Sequence, residues 1–357
     1  MSAAVRTLLY AWVPEFYAAV ERARSPELRA RPVVVGGDPR KRGKVQSASP
    51  DALAHGVRLG MPVLEALERC PRARAVRTDM ATYRDAAVRL RALLRDEVAA
   101  LEAVGLDAAF LDATGEARAP VAIARSLRAR VDAEFGLDLR VGISALRFLA
   151  RLAAERADDG GLLEVAPGSE VAFLAPLPVG ALPGVGPRTL EALCGLGAKS
   201  VGDLHALDPL AVERALGNHG LQLLRLAQGR DDQPVRARPT PRSIGREHTF
   251  REPRIDLAAI ADQRLRLAAA LAGMLREQGL GAQRVALKVR YEDGESVTRS
   301  ATLSSPVRTA AEIDAAAERL QARTHAGSRP LRLLGLRLGG LAAPSRDDRQ
   351  LDLFDDA

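Results

Sequence analysis

Between residues 8 and 143 short aliphatic runs alternate with amphipathic stretches, and this alternation restricts the possible folds more than any other feature of the chain. Residues 8–13 and 31–37 (RPVVVGG) read as buried strands, the second closed by a glycine turn. Pro14 and Glu15 open a helix over 16–24, with proline and an acid in the first turn, where both are tolerated. A basic loop at 40–44, a helix at 62–69 and a long amphipathic helix at 83–104 follow. A strand at 107–114, a helix at 121–134 and a strand at 137–143 complete the block. Strands and helices in this order, some as βαβ, predict an α+β sheet layered with helices. Aromatic residues make up only 3% of the chain, so aliphatic side chains must fill the core.

From residue 167 the rhythm changes to short helices punctuated by glycine and proline. The polar, proline-rich stretch 234–241 (PVRARPTP) then reads as a linker. Beyond it come a helix at 257–278, a β-hairpin formed by 284–291 and 296–303 around Glu292-Asp293-Gly294, a helix at 310–323 and a strand at 331–338. That makes a second α/β unit. The charged end, 344–357, is expected to stay disordered until bound. A length of 357 residues accommodates two to four domains.

The formal net charge is +7, which points to a polyanionic partner. Nearly all of this positive charge is arginine, the lysines being Lys41, Lys44, Lys199 and Lys288. Cys70 and Cys194 stand alone, without the spacing of a zinc site, and read as buried thiols. The N-terminus lacks a signal-peptide pattern and no apolar run reaches membrane-spanning length, so a cytoplasmic protein with no membrane partner is expected.

Two short motifs carry interaction chemistry. Leu182-Pro183-Gly184-Val185-Gly186-Pro187-Arg188 is a helix-hairpin-helix signature. Its glycines let the turn approach a phosphate, and amides at the helix start donate to the phosphate oxygens. Such a grip holds a duplex without reading its bases. Arg188, Arg242, Arg246 and Arg290 are candidate DNA-binding cations whose contacts would make affinity salt-dependent. The tail Gln350-Leu351-Asp352-Leu353-Phe354 offers two leucines and a phenylalanine to a hydrophobic groove. It resembles the motif with which bacterial replication proteins dock on the β sliding clamp, and Gln350, Leu351, Leu353 and Phe354 are its candidate anchors.

The whole chain resembles the Y-family (DinB/UmuC-like) DNA polymerases. The resemblance runs in order through FYAAVE at 16–21, RPVVVGG at 31–37, GVRLGMP at 56–62, GLDAAFLD at 105–112 and VGIS at 141–144. It continues through FLA at 148–150, the hairpin at Gly184, SIG at 243–245 and RLLGL at 332–336. It implies a right-hand polymerase architecture with a palm at 1–25 and 76–165, fingers at 26–75 and a helix-hairpin-helix thumb at 166–235. A linker at 236–241, an α/β little finger at 242–343 and a flexible clamp-binding tail at 344–357 would follow.

The resemblance also marks where chemistry is expected and altered. Nucleotidyl transfer uses divalent cations held by converging carboxylates. The family places an aspartate where this chain has Trp12, and an adjacent Asp-Glu pair where it has Asp107 and Ala108. An indole donates one hydrogen bond and accepts none, so it cannot ligate such a cation. Asp112, five residues past Asp107, would face away by strand alternation. The positions of the family's triphosphate-binding tyrosine, arginine and lysine hold Pro50, Leu53 and Asp158. Tyr17 remains at the position that screens ribonucleotides. On these grounds the closest branch is the catalytically degenerate ImuB type. The expectation is a non-enzymatic adaptor in SOS mutagenesis that holds primer-template DNA, docks on the clamp and assists a separate error-prone, replicative-type polymerase. It would need no cofactor. A residually active translesion polymerase using Mg²⁺ is the alternative.

Overall fold

A computed structural model of the chain describes residues 6–98, 100–157, 160–236 and 241–343. The chain divides into two compact units, Met1–Arg238 and Pro239–Ala357. Among the described residues no helix is long and apolar enough to cross a membrane.

The first unit begins with β1 (Leu8–Trp12), α1 (Phe16–Arg24) and α2 (Pro26–Arg29). A small sheet follows, with β2 (Val33–Gly36), β3 (Val45–Ala48), α3 (Pro50–Ala54), α4 (Val63–Arg69) and β4 (Arg74–Arg77). Its strand order is β3-β2-β4, with β2 antiparallel to β3 and parallel to β4. The chain then returns through α5 (Met80–Arg95), β5 (Ala100–Val104), β6 (Ala108–Asp112), α6 (Pro120–Phe135), β7 (Arg140–Ser144), α7 (Arg147–Arg156) and β8 (Leu162–Glu164). These strands join β1 in a five-stranded sheet of order β5-β6-β1-β7-β8.

The two faces of that sheet differ. On one, Leu9, Ala11, Ala109, Leu111, Val141 and Ile143 lie fully buried against Tyr83 and Leu90 of α5 and Ile123 and Leu127 of α6. On the other, Tyr10, Ala108 and Phe110 meet Ala150 and Ala154 of α7, with Trp12, Val104 and Val235 at the margin. The close approach of α7 explains Gly142: a Cβ there would stand 2.0 Å from the Ala150 carbonyl oxygen.

The long helix expected over 83–104 is in fact two elements. Residues 100–104 form β5, which pairs with β6 in the register Val104↔Ala108. Ala, Leu and Glu accept a helix on propensity, but pairing to an exposed strand edge overrides so weak a preference. The start of α1 differs too. Glu15 is not in the first turn but precedes it, in a left-handed conformation at φ 46°.

A cluster of small helices completes the unit: α8 (Glu170–Leu174), α9 (Pro187–Gly195), α10 (Val201–Ala206) and α11 (Pro209–Ala227). Cys70 is buried as expected, whereas Cys194 is exposed on α9. The nine-residue helix α9 has an outward face, and Cys194 falls on it.

The second unit comprises β9 (Ser243–Arg254), α12 (Leu257–Gln278), β10 (Gly281–Tyr291), β11 (Ser296–Val307), α13 (Ala310–Gln321) and β12 (Leu331–Ala342). Its antiparallel sheet has the order β11-β10-β12-β9, with the hairpin where the turn residues placed it. Val285, Leu287, Val289, Leu334, Leu336 and Leu338 pack against Ile260, Leu271 and Leu275 of α12 and Ile313 and Leu320 of α13. Arg264 is buried between the two helices and donates to Asp314 (2.7 Å) and Gln321 (2.7 Å), so its charge does not lie unpaired in the core.

Candidate active site and nucleic-acid interface

The end of the first sheet gathers three of the expected residues. Trp12 closes β1 opposite Ala108 of β6 on one side and Arg140 of β7 on the other. Asp107 sits one residue before β6, and its carbonyl accepts a hydrogen bond from the Val13 amide at 2.9 Å. Its carboxylate accepts one from the Trp12 indole nitrogen at 3.2 Å. One oxygen of the surviving acid is therefore engaged by the aromatic ring that stands in place of another acid.

Neither Asp112 nor Glu15 is positioned to join Asp107. Asp112 lies at the far end of β6, opposite Leu8, and accepts from the Thr114 amide. Glu15 lines a different cleft, of about 300 Å³, with Arg22, Arg29, Pro50 and Arg140. Burial raises the Glu15 carboxyl above the usual range, and Arg140 opposes this. Among the described residues no three His, Cys, Asp or Glu side chains come together.

Tyr10, beneath Trp12 on the same sheet face, is pushed up to about 12, chiefly by burial. Arg147 stacks over the Phe110 ring at 4.2 Å and holds Glu102 through both guanidinium nitrogens, at 2.6 and 2.8 Å. Glu102 also accepts from the Arg236 amide at 2.8 Å, and Arg147 donates to the Pro234 carbonyl at 3.0 Å. Sequence reasoning missed this clasp, which fixes residues 234–236 against the sheet. Local sequence carries no signal for a Glu and an Arg separated by 45 positions.

The positions expected from the family resemblance to meet the nucleotide lie elsewhere in the unit. Pro50 opens α3 and Leu53 is half-buried on it, so neither offers a hydroxyl or a cation there. Tyr17 stacks on Tyr83 with ring centroids 4.4 Å apart, and the Tyr83 hydroxyl donates to Glu21 at 2.7 Å. Asp158 falls outside the described residues, as do the linker positions 237–240 and the tail with Gln350, Leu351, Leu353 and Phe354.

The glycine hairpin takes the expected form. Gly184 adopts φ +92°, a conformation side chains resist, and Gly186 caps α9, with Pro187 in its first turn. Arg188 is exposed beside it. The His219 ring nitrogen lies 3.1 Å from the Gly184 carbonyl oxygen, tying the hairpin to the glycine kink at Gly217 in α11.

In the second unit the outward face of the sheet is built in rows. Thr302, Arg284, Gly339 and Ser243 align across the four strands. The next rows are Ser300, Ala286, Arg337, Gly245, then Thr298, Lys288, Gly335, Glu247, then Ser296, Arg290, Leu333, Thr249. Each row carries one cation, and its neighbours are small or hydroxyl-bearing except for Glu247 in the third row and Leu333 in the fourth. Lys288 donates to Glu247 at 3.0 Å. Arg290 thus belongs to this face, but Arg246 does not: its register partner is the buried Leu336, so alternation places it on the other side, exposed at the sheet edge. Arg242 is exposed just before β9. Arg284, Lys288 and Arg337 were not anticipated, although the alternation in RVALKVRY at 284–291 carried the signal for two of them.

Comparison with known proteins defines the class. The impB/mucB/samB family matches residues 11–155, and the C-terminal domain of the same family matches 241–353. The chain belongs to this family, that of the Y-family DNA polymerases. It is 38% identical to the DNA polymerase IV of Alkalilimnicola ehrlichii, over 98% of this chain and 99% of that one. To the DNA polymerase IV of Halorhodospira halophila it is 39% identical, over 98% of each chain. Among solved structures, a Y-family polymerase chimera of Dbh and Dpo4 matches 95% of the chain at 22% identity with a TM-score of 0.81. DinB from Sulfolobus solfataricus matches with a TM-score of 0.69 at 22% identity. The fold is accordingly the mixed α/β architecture of these polymerases, with palm, fingers and a C-terminal little finger.

These relatives overturn the expectation of a non-catalytic adaptor serving a separate polymerase. The departures at Trp12 and Ala108 concern one sheet end, whereas the similarity to proteins named as polymerases spans both units. The family reaction ordinarily employs two divalent cations. The donors at the end of β1 do not fit such a pair, because neither the indole of Trp12 nor the methyl group of Ala108 offers a lone pair beside Asp107.

Proposed function

We propose that the chain is a translesion DNA polymerase acting on primer-template DNA. The observation that carries this reading is the full-length identity of 38% to a relative named DNA polymerase IV. In this reading residues 1–25 and 76–165 act as palm, 26–75 as fingers, 166–235 as thumb and 242–343 as little finger.

The interface chemistry supports it. Backbone amides at the start of α9, beside exposed Arg188, suit a phosphate. The rows of single cations among glycines and hydroxyls suit a sugar-phosphate backbone, since small side chains permit close approach and cations release counterions. Binding should be strongly salt-dependent and weakly base-specific.

Nucleotidyl transfer in this chain depends on Asp107, the acid left at the sheet end, and is slow because Trp12, Ala108, Pro50 and Leu53 add neither ligands nor phosphate donors. The test is extension of a recessed primer with four deoxynucleotides. Slow extension by the wild type, abolished in Asp107→Ala with the fold intact, supports the reading. No extension, or extension indifferent to Asp107→Ala, rejects it.

The tail is assigned to the bacterial β sliding clamp through Gln350, Leu351, Leu353 and Phe354, whose apolar anchors on either side of Asp352 suit a hydrophobic groove. Clamp capture by the full chain should be lost in Gln350→Ala/Phe354→Ala. Undiminished capture would refute the assignment.

A further inference from the structure

Trp12 is the chain's single tryptophan, and it stands half-buried at the exposed end of a sheet. Its surroundings are unusual for a structural indole. The strand neighbour on one side is Ala108, too small to cover the ring. On the other side is Arg140. Tyr10 and Phe110, their rings tilted by 52° with centroids 4.6 Å apart, support the same sheet face from below. The bond to Asp107 at 3.2 Å fixes the rotation of the ring about its own axis. Arg151, exposed on α7, lies near enough for its charge to be felt by both Asp107 and Tyr10. The result is a half-buried aromatic surface held in one orientation, with Arg140 on the adjoining strand and Arg151, itself paired to Glu155 at 2.8 Å, near the Asp107 that anchors the ring.

That combination matches the chemistry of a nucleotide, with a planar ring to stack and phosphates to pair. A packed indole needs some acceptor for its nitrogen, but here the acceptor is a carboxylate at the end of a sheet, with Arg140 on the adjoining strand and Arg151 close by. We propose that Trp12 is a positioning residue, a stacking platform for a nucleobase brought to the end of β1. The ring comes either from the primer terminus or from the incoming nucleotide. The proposal rests on the reading of the chain as a protein acting on primer-template DNA. It gives the indole a role where the metal-binding acid is missing: the end of the substrate is held by stacking.

The lone tryptophan is its own probe. Its emission is followed while the full-length chain is titrated with a recessed-end duplex, with the same duplex carrying an abasic primer terminus, and with free deoxynucleoside triphosphate. Anisotropy of labelled DNA gives affinities in parallel. Emission should be quenched by the intact duplex or by the free nucleotide, and which of the two does so identifies the source of the base. Where the duplex is the quencher, Trp12→Ala should bind it about tenfold more weakly. Trp12→Phe, which keeps a ring but loses the bond to Asp107, should stay within about twofold of the wild type. The abasic terminus should cost the wild type about the same tenfold and cost Trp12→Ala nothing further. Where the free nucleotide is the quencher, the tenfold loss in Trp12→Ala appears in nucleotide affinity instead, and Trp12→Phe again retains it. Emission indifferent to both ligands overturns the platform, as does equal affinity of the wild type and Trp12→Ala for the ligand that quenches. If DNA binding persists with its salt dependence in that case, the proposed function stands without the platform. If no DNA is bound at all, both fall.

Discussion

The two sheets of this protein arrange their charged groups in opposite ways. The four-stranded sheet of the second unit spreads its cations one per row, at Arg284, Arg337, Lys288 and Arg290, over a floor made mostly of glycine, serine and threonine, with one acid, Glu247, among them. The five-stranded sheet of the first unit concentrates its chemistry in a few side chains at one end, Trp12, Asp107 and Ala108. A distributed face survives the loss of any one cation, because counterion release adds roughly one contribution per residue. A convergent site does not, because every donor must be in place together. Sequence change at the sheet end therefore alters chemistry without touching the fold, and the full-length similarity to polymerases is undisturbed by it.

The largest effects should come from the framework that both faces need. Leu111 in the first unit and Leu334 in the second are fully buried. Truncating either to alanine should cost about 3 kcal/mol from lost burial and the cavity left behind. Because the chain forms two compact units, calorimetry should show Leu111→Ala lowering one transition and Leu334→Ala another. A single transition shifted equally by both would mean that the two regions unfold as one, and the contrast between them would lose its energetic meaning.

Next in size is a direct trial of the convergent site. Trp12 and Ala108 are strand partners and Asp107 adjoins Ala108, so Trp12→Asp with Ala108→Glu would place three acids at one sheet end. Primer extension by that double variant in Mg²⁺ should exceed the wild type by about a hundredfold, the scale of restoring preorganised charge at a reaction centre. No gain would show that the departure lies in the backbone as well as in the side chains.

A smaller effect tests the clasp between Glu102 and residues 234–236. Burial works to raise the Glu102 carboxyl, but hydrogen bonds from Arg147 and the Arg236 amide outweigh it and hold the group below the usual carboxylate range. A depressed acid contributes stability above its unfolded value, about 4.3, and loses that contribution as pH falls through the folded value. The melting temperature of the wild type should therefore drop more steeply than that of Glu102→Gln between about pH 5 and pH 3. Parallel curves would remove Glu102 from the acid response of the first unit.

Much of this was legible in the sequence for physical reasons that differ by region. The hairpin around Gly294, the helix at 257–278 and the glycine turn at Gly184 follow from local rules of alternation, periodicity and positive φ, and the structure has all three. Strand β5 was hidden because its residues accept a helix equally well and only the edge of β6 decides. At the site, the identity of Trp12 was visible, but its bond to Asp107 was not, since that depends on a register between strands 95 positions apart. Arg246 and Arg290 looked equivalent as arginines. Only the register, Leu336 for one and Ser296 for the other, separates the helix-covered side from the open one.

The smallest expected effect distinguishes a distributed face most sharply. Lys288 is the one cation in its row and is hydrogen-bonded to Glu247 at 3.0 Å, with both side chains about half exposed. If the face binds DNA as a sum of independent charges, Lys288→Ala should reduce the slope of log affinity against log salt by about one and weaken binding uniformly across sequences. Glu247→Gln should do the reverse on a smaller scale, because it removes a negative charge from the row and frees the ammonium group for phosphate. Arg246→Ala, on the other side by register, should change the slope less than Lys288→Ala. Measured on one duplex over a range of salt concentrations, the order Lys288→Ala, wild type, Glu247→Gln in rising affinity supports the additive face. If Arg246→Ala instead lowers the slope as much as Lys288→Ala, the cations act by total charge alone, and the row architecture has no bearing on binding.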